Sequence, residues 1–178
     1  KGIKFMLENV DLTKNIEKKE FKSISGKLEL KLGELQRAAK ELKIPVIIIF
    51  EGWDAAGKGT LINRLILPLD PRGFNVHTTL SPVENEQLRP FLWRFWIKTP
   101  SNGRISIFDK SWYRRVLTER IEGEVKETDW KIAYNEIKSF ERQLTDSGAV
   151  IIKFFLHISK KEQKKRFLKL EQDKSASW

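Results

Sequence analysis

The sequence predicts an α/β fold built on a parallel sheet, and three observations carry that prediction. Short β-branched or aromatic runs bounded by Gly, Pro, Ser or Asp recur along the chain, stretches with helical periodicity or helix-start signals lie between them, and a glycine-rich segment follows the strongest run. Strands alternating with helices of ten or more residues join by right-handed crossovers.

Taken in order, Leu28, Leu32, Leu35, Ala39 and Leu42 recur at three- and four-residue spacing, so they form one apolar stripe on a helix ahead of the first strand. Residues 45–50 (PVIIIF) are that strand. Residues 105–108 (ISIF) and 150–156 (VIIKFFL) have the same continuous apolar character, which fits strands buried on both faces. Residues 75–80 alternate and read as a strand nearer an edge. Ser81-Pro82-Val83-Glu84 is a capping box with proline at the first helical position and Glu84 as its carboxylate, and Pro90 imposes a kink or an early stop on that helix. In the string Phe91-Leu92-Trp93-Arg94-Phe95-Trp96 the apolar members are helical neighbours, which reads as core rather than a base-stacking platform. A further helix is expected over about 128–145, ending near Ser147-Gly148, and Ser159-Lys160-Lys161-Glu162 is a second capping box.

Composition narrows the chemistry. The 178 residues suit one domain, and 40% hydrophobic with 33% charged residues excludes disordered and collagen-like classes. The absence of cysteine rules out a disulfide framework, a thiolate zinc site and a cysteine nucleophile, and two histidines, His77 and His157, are too few for a multi-histidine metal centre. Both lie on or beside predicted strands, where packing or a backbone contact is the simpler role. No run approaches the roughly 18 apolar residues of a membrane span, and no signal-peptide layout occurs, so a cytoplasmic protein without membrane partners is expected. The chain starts at Lys1, and residues 173–178 carry no helix-ending signal, which reads as a segment of a longer chain. A formal charge of +10 predicts attraction to a polyanion, whether nucleic acid, nucleotide, polyphosphate or acidic membrane.

The sharpest motif is Glu51-Gly52-Trp53-Asp54-Ala55-Ala56-Gly57-Lys58-Gly59-Thr60, set between the strongest strand and a helical segment. Glycines let backbone amides converge on phosphate oxygens, the helix that follows presents its positive end, and Lys58 can bridge the outer phosphates. Gly52, Ala55, Ala56, Gly57, Lys58, Gly59 and Thr60 are therefore the expected phosphate-binding residues. Without its flanks the same run is a chance turn. The strict pattern has Ser or Thr directly after the lysine; here Gly59 intervenes, and Asp54 can supply the missing oxygen ligand. Asp109, at the carboxyl end of residues 105–108, is where a phosphate-loop enzyme holds Mg²⁺, although taken alone it could simply cap the next helix. Lys110, Arg114, Arg115, Arg120 and Arg166 supply cations nearby, and arginine's planar fork suits phosphate better than a lysine does. Lys161, Lys164, Lys165 and Lys169 read mainly as a solvated face.

With GWDAAGKGT and FDKSWY, FLWRFW and RISIF between them and SFERQLTDSGAVIIKFFLHISKKEQKKRF downstream, the chain resembles the polyphosphate kinase 2 family, most like the domain of polyphosphate:AMP phosphotransferases. The resemblance spans residues 44–178. It divides the chain into an N-terminal helical segment, 1–43, and a catalytic domain, 44–178, whose lid is only partly included. It implies a three-layer P-loop kinase fold similar to thymidylate kinase, with parallel sheet and helical lid, and Mg²⁺-dependent transfer of phosphate between inorganic polyphosphate and a nucleotide. AMP to ADP is favoured over ADP to ATP, guanine nucleotides are further partners, and a homo-oligomer is expected. Matched by position, Asp54 and Lys58 are the family's loop aspartate and lysine, Asp109 its second-motif aspartate and Arg166 a lid arginine. Arg120 ends a run through Tyr113, Val116 and Leu117. Lys110 stands where the family usually has arginine, keeping the charge but losing the bidentate fork.

Such a reaction needs no general base, because the attacking phosphate oxygen is already ionised at neutral pH. The expected roles are Lys58 and the loop amides on the transferred phosphate, Asp54 and Asp109 on Mg²⁺, and Arg120, Arg166, Lys110 and Arg115 on the donor chain or migrating group. Two other readings compete: an ATP-dependent nucleoside monophosphate kinase, and a non-catalytic polyanion-binding module. Simple binding requires no metal carboxylates, which counts against the module, and no nucleic-acid partner is expected.

Overall fold

The computed structural model describes residues 6–172, so the expectation about residues 173–178 lies outside the described residues. Four parallel strands, β1 (Val46–Gly52), β2 (Phe74–Thr78), β3 (Ile105–Asp109) and β4 (Val150–Leu156), lie side by side in the order β2-β3-β1-β4. The helices are α1 (Lys18–Glu41), α2 (Lys58–Ile66), the single turns α3 (Glu84–Gln87), α4 (Trp93–Trp96) and α5 (Thr118–Ile121), then α6 (Glu127–Asp146) and α7 (Lys160–Gln172). This is the predicted three-layer α/β arrangement.

Alternation along the two central strands sorts the core into two layers. Ile47, Ile49 and Phe108 pack with Phe95, Trp112, Ala133, Ile137, Phe140 and Leu144, so one face is covered by α4 and α6. Ile48, Phe50, Ile105 and Ile107 pack with Ile62 and Leu69, with Leu32 of α1 against them, so the other is covered by α2 and α1. Each buried Ile, Leu or Phe among them contributes roughly 1.5–3 kcal/mol. The aromatic string is indeed core at Phe95 and, in part, at Phe91 and Leu92; Trp96 meets Phe140 edge-on with centroids 4.7 Å apart.

Three expectations need correction. Residues 150–156 form a strand, but not one buried on both faces: β4 pairs only with β1 among the described residues, and Val150, Ile152, Phe154 and Phe155 are exposed. The apolar run is a strand as expected, but its burial on both faces is not found. On α1 the packed face is rotated from the leucine stripe. Leu28, Leu35 and Leu42 are exposed, while Leu32 packs on the core and Gln36 is buried. Gln36 donates from Nε2 to the Asp70 carbonyl at 3.0 Å and accepts the Asp70 amide at 2.7 Å, so one amide side chain ties the helix to the segment ahead of β2. Finally, no helix starts at Pro82. The chain stays extended through Val83, whose amide donates to Glu86 at 3.1 Å, and α3 then ends at Gln87, ahead of Pro90. Glu86, not Glu84, is the capping carboxylate. The second expected box is half formed: Ser159 Oγ accepts the Glu162 amide at 3.2 Å, whereas the Glu162 carboxylate turns to Arg166.

Candidate functional site

β3 ends at Asp109, opposite Phe50 and two residues short of the end of β1, so the segments that follow the two strands form one rim. β1 can turn into its loop only through glycine. Gly52 has φ 130°, and a Cβ there would lie 2.7 Å from the Leu156 backbone nitrogen and in hard contact with the Leu156 carbonyl. Ala55 follows at φ 59°, and Gly57 at φ 99° is the N-cap of α2, so the loop reaches the positive end of that helix as the sequence predicted. Gly59 and Thr60 lie in its exposed first turn.

Lys58 is 8% exposed and folds back into the loop, donating from Nζ to the carbonyls of Gly52 and Trp53 at 3.0 Å each. The Asp54 carboxylate stands 3.7 Å from that ammonium and 3.3 Å from Lys110 Nζ, so the two motifs meet as the sequence required. Asp109 Oδ1 is buried with no hydrogen-bond partner. A buried bare carboxylate oxygen is costly unless something else satisfies it. With Asp54 across the rim, it is a donor set that fits a hard divalent cation, which takes its remaining ligands from water and phosphate. Among the described residues no cluster of three or more His, Cys, Asp or Glu offers an all-protein cage.

α7 grips the same loop from outside. Arg166 Nη1 donates to the carbonyls of Ala55 and Ala56 at 3.3 and 3.0 Å, while its Nε donates to Glu162 at 2.8 Å, and Gln163 Nε2 donates to the Asp54 carbonyl at 3.0 Å. At the root of α7, Trp53 Nε1 donates to His157 Nδ1 at 2.8 Å. His157 thus has a side-chain partner in the loop rather than a backbone one; His77 packs on Phe108, and burial holds its pKa below the ordinary value.

The remaining arginines divide. Arg114 and Arg115 line a cleft of about 480 Å³ beside Ser111, together with Arg89, Arg94, Glu86 and Glu119 and the aromatic walls Phe91, Phe95 and Trp112. Arg114 Nε lies 3.4 Å from Glu119, Arg115 Nη1 3.5 Å from it, and Arg94 Nη1 3.3 Å from Glu86, so the acidic residues hold the guanidinium groups in place. Arg94 and Arg115 each keep a buried Nε without a partner. Arg120 goes elsewhere: it stacks 4.0 Å over Trp130 and reaches Tyr134 at 3.5 Å, both on α6.

Sequence reasoning missed Arg89, Arg94 and Glu119 in the cleft, and it gave no role to Glu51, Ser111 or Thr79. Glu51 Oε1 accepts both the amide and the hydroxyl of Ser111, at 2.8 and 2.7 Å; burial pushes its pKa up against those two bonds. Nothing in the local pattern joins residues 60 positions apart. The FDKSWY motif signals Asp109 but not its supports.

A family-wide profile described as polyphosphate kinase 2 matches residues 15–178. The chain is 40% identical over 167 residues to a polyphosphate:AMP phosphotransferase of Pseudomonas syringae pv. tomato, covering 94% of this chain and 34% of that protein. It is 52% identical over 122 residues to a polyphosphate:AMP phosphotransferase of Acinetobacter johnsonii, covering 68% of this chain and 26% of that protein. The crystal structure of a polyphosphate kinase 2 from Arthrobacter aurescens superposes with a TM-score of 0.93 at 31% identity, over 99% of this chain and 66% of that one. The chain thus spans between about a quarter and a third of the length of these two curated relatives.

Proposed function

We infer the activity from one premise: the chain belongs to the polyphosphate kinase 2 family. The reading supported best is a Mg²⁺-dependent phosphotransferase that moves a phosphate between inorganic polyphosphate and a nucleotide, with AMP to ADP favoured, in line with the names of the two phosphotransferase relatives. The observation that carries it is the contact of Lys110 Nζ with Asp54 at 3.3 Å, which joins a phosphate loop to the second-motif segment around a lysine buried in that loop.

The chain's own residues account for most of the chemistry. The loop amides and the end of α2 bind the transferred phosphate, and Lys58 leaves the Gly52 and Trp53 carbonyls to neutralise it. Asp54 and Asp109 would hold Mg²⁺, which when bound screens charge on the phosphate oxygens. Arg166 and Lys110 reach the donor chain. The acceptor enters the arginine-lined cleft: Arg89, Arg94, Arg114 and Arg115 draw in its phosphate, and Phe91, Phe95 and Trp112 offer apolar wall to the rest. Holding two polyanions together against their repulsion is the larger task, since the attacking oxygen carries no proton to remove. Arg120 has no part in this reading, because its partners are on α6.

The test is phosphorus NMR of the full-length protein with polyphosphate, Mg²⁺ and AMP, ADP or GMP in turn. ADP signals growing from AMP at the expense of the polymer are expected. Transfer from ATP and not from polyphosphate would make the protein a nucleoside monophosphate kinase, and salt-sensitive polymer binding without any transfer would make it a polyanion-binding module.

A further inference from the structure

Lys110 has φ 59°, a left-handed backbone that lysine seldom adopts. Such a residue persists only where its surroundings over-determine it, and here they do. On one side the Lys110 amide donates to the Phe50 carbonyl at 3.0 Å, and Ser111 donates twice to Glu51 Oε1. On the other, Thr79 donates from Oγ1 to the Lys110 carbonyl at 2.7 Å and from its amide to the Asp109 carbonyl at 3.0 Å. Ser111 and Thr79 are almost wholly buried, and Ser111 Oγ also accepts the Tyr113 amide at 3.3 Å, which caps the 3₁₀ turn Trp112–Val116.

We propose that Glu51 is a positioning residue: with Thr79 it clamps the turn Asp109-Lys110-Ser111, so that Lys110 reaches Asp54 while Asp109 stays fixed at the end of β3. The inference rests on the phosphotransfer reading for its kinetic consequence, though not for the clamp itself. Glu51 does not itself line the acceptor cleft; it acts through Ser111, which does. Its neighbours in charge are Lys58 and Lys110, both of which favour its ionised form against burial. A carboxylate that merely filled space would not set one of its two oxygens, Oε1, against two donors from one distant residue.

Glu51→Ala, Glu51→Gln, Ser111→Ala and the pair Glu51→Ala with Ser111→Ala test this in the full-length protein. A misplaced reacting group typically costs about a hundredfold, so Glu51→Ala should lower kcat by about that factor and Ser111→Ala, which keeps the amide bond, by less, while KM for nucleotide and polyphosphate stays within about twofold. The pair should be no slower than Glu51→Ala alone, since that change already removes both the amide and the hydroxyl bond. Glu51→Gln keeps an acceptor oxygen and should recover most of the rate. Independently of turnover, amide hydrogen exchange at Ser111 should accelerate in Glu51→Ala and stay slow in Glu51→Gln. Wild-type kcat in Glu51→Ala, a Gln variant as slow as the Ala variant, or unchanged exchange at Ser111 would each overturn the clamp. If Glu51→Ala does not fold, Ser111→Ala with native circular dichroism decides the same question. Should the wild-type protein transfer no phosphate at all, the functional reading fails and the exchange measurement still judges the clamp.

Discussion

The central strands and the β4–α7 flank are built from the same kinds of residue and end in different states. In β1 and β3, Ile47, Ile49, Ile107 and Phe108 have no exposed surface. In β4, Val150, Ile152, Phe154 and Phe155 are each about 40% exposed, and α7 buries no residue. Composition decides that a segment is a strand; neighbours decide how deep it lies. The difference matters for the site because Asp109 ends β3 and the loop that carries Asp54 and Lys58 leaves directly from β1, whereas the flank contributes hydrogen bonds to loop carbonyls.

The comparison can be broken by experiment, most strongly through the core. Phe108→Ala should cost about 3–5 kcal/mol in urea unfolding, whereas Phe154→Ala should cost less than about half of that, because much of the ring is already wet. Equal losses would mean that β4 is covered in the protein studied. Next in size, Asp109→Asn should lower kcat by a factor of about 10²–10³, equivalent to about 3–4 kcal/mol, without lowering the melting temperature, since Asp109 Oδ1 has no partner to lose. A drop in stability as large as the drop in rate would move Asp109 from the site to the framework.

On the flank, Arg166→Ala should slow transfer by about tenfold, since its present bonds to the Ala55 and Ala56 carbonyls orient the loop without touching the carboxylates. A loss as large as that of Asp109→Asn would erase the distinction between flank and centre. The smallest effect is in pH dependence. Burial raises the Glu51 pKa from its ordinary value of 4.5, so the folded protein binds that proton more tightly than the unfolded chain. Its contribution is complete below the unfolded pKa and is lost as pH rises through the folded one. The difference in melting temperature between Glu51→Gln and wild type should therefore shift in favour of Gln as pH rises above the ordinary carboxylate value of 4.5; a constant difference would place Glu51 in water.

Much of this was legible in the sequence. The four strands, the phosphate loop, α6 and the meeting of Asp54 with the Asp109 segment follow from apolar runs, glycines and a carboxylate at a strand end, all of which act over short stretches of chain. What stayed hidden depends on contacts between distant segments. Gln36 clasping Asp70, Glu51 holding Ser111 and Trp53 bonded to His157 join positions 34, 60 and 104 residues apart, and no periodicity encodes them. The leucine stripe of α1 misled for a related reason: spacing identifies a helix face, but the buried face was chosen by Gln36 and Leu32 meeting the segment before β2 and the core. Arg120 is expected at the site from its place in the run through Tyr113, Val116 and Leu117, and spacing along that run carries no information about Trp130, over which its guanidinium stacks.

The folded-back stance of Lys58 sets an admission threshold. Any visitor that recruits the ammonium must replace two peptide oxygens and the nearby pull of a carboxylate. A lone chloride, with one charge and no geometry, offers too little in return. A multiply charged oxyanion, with several acceptors to spread over the backbone, offers more, so the loop is built to favour guests of high charge density.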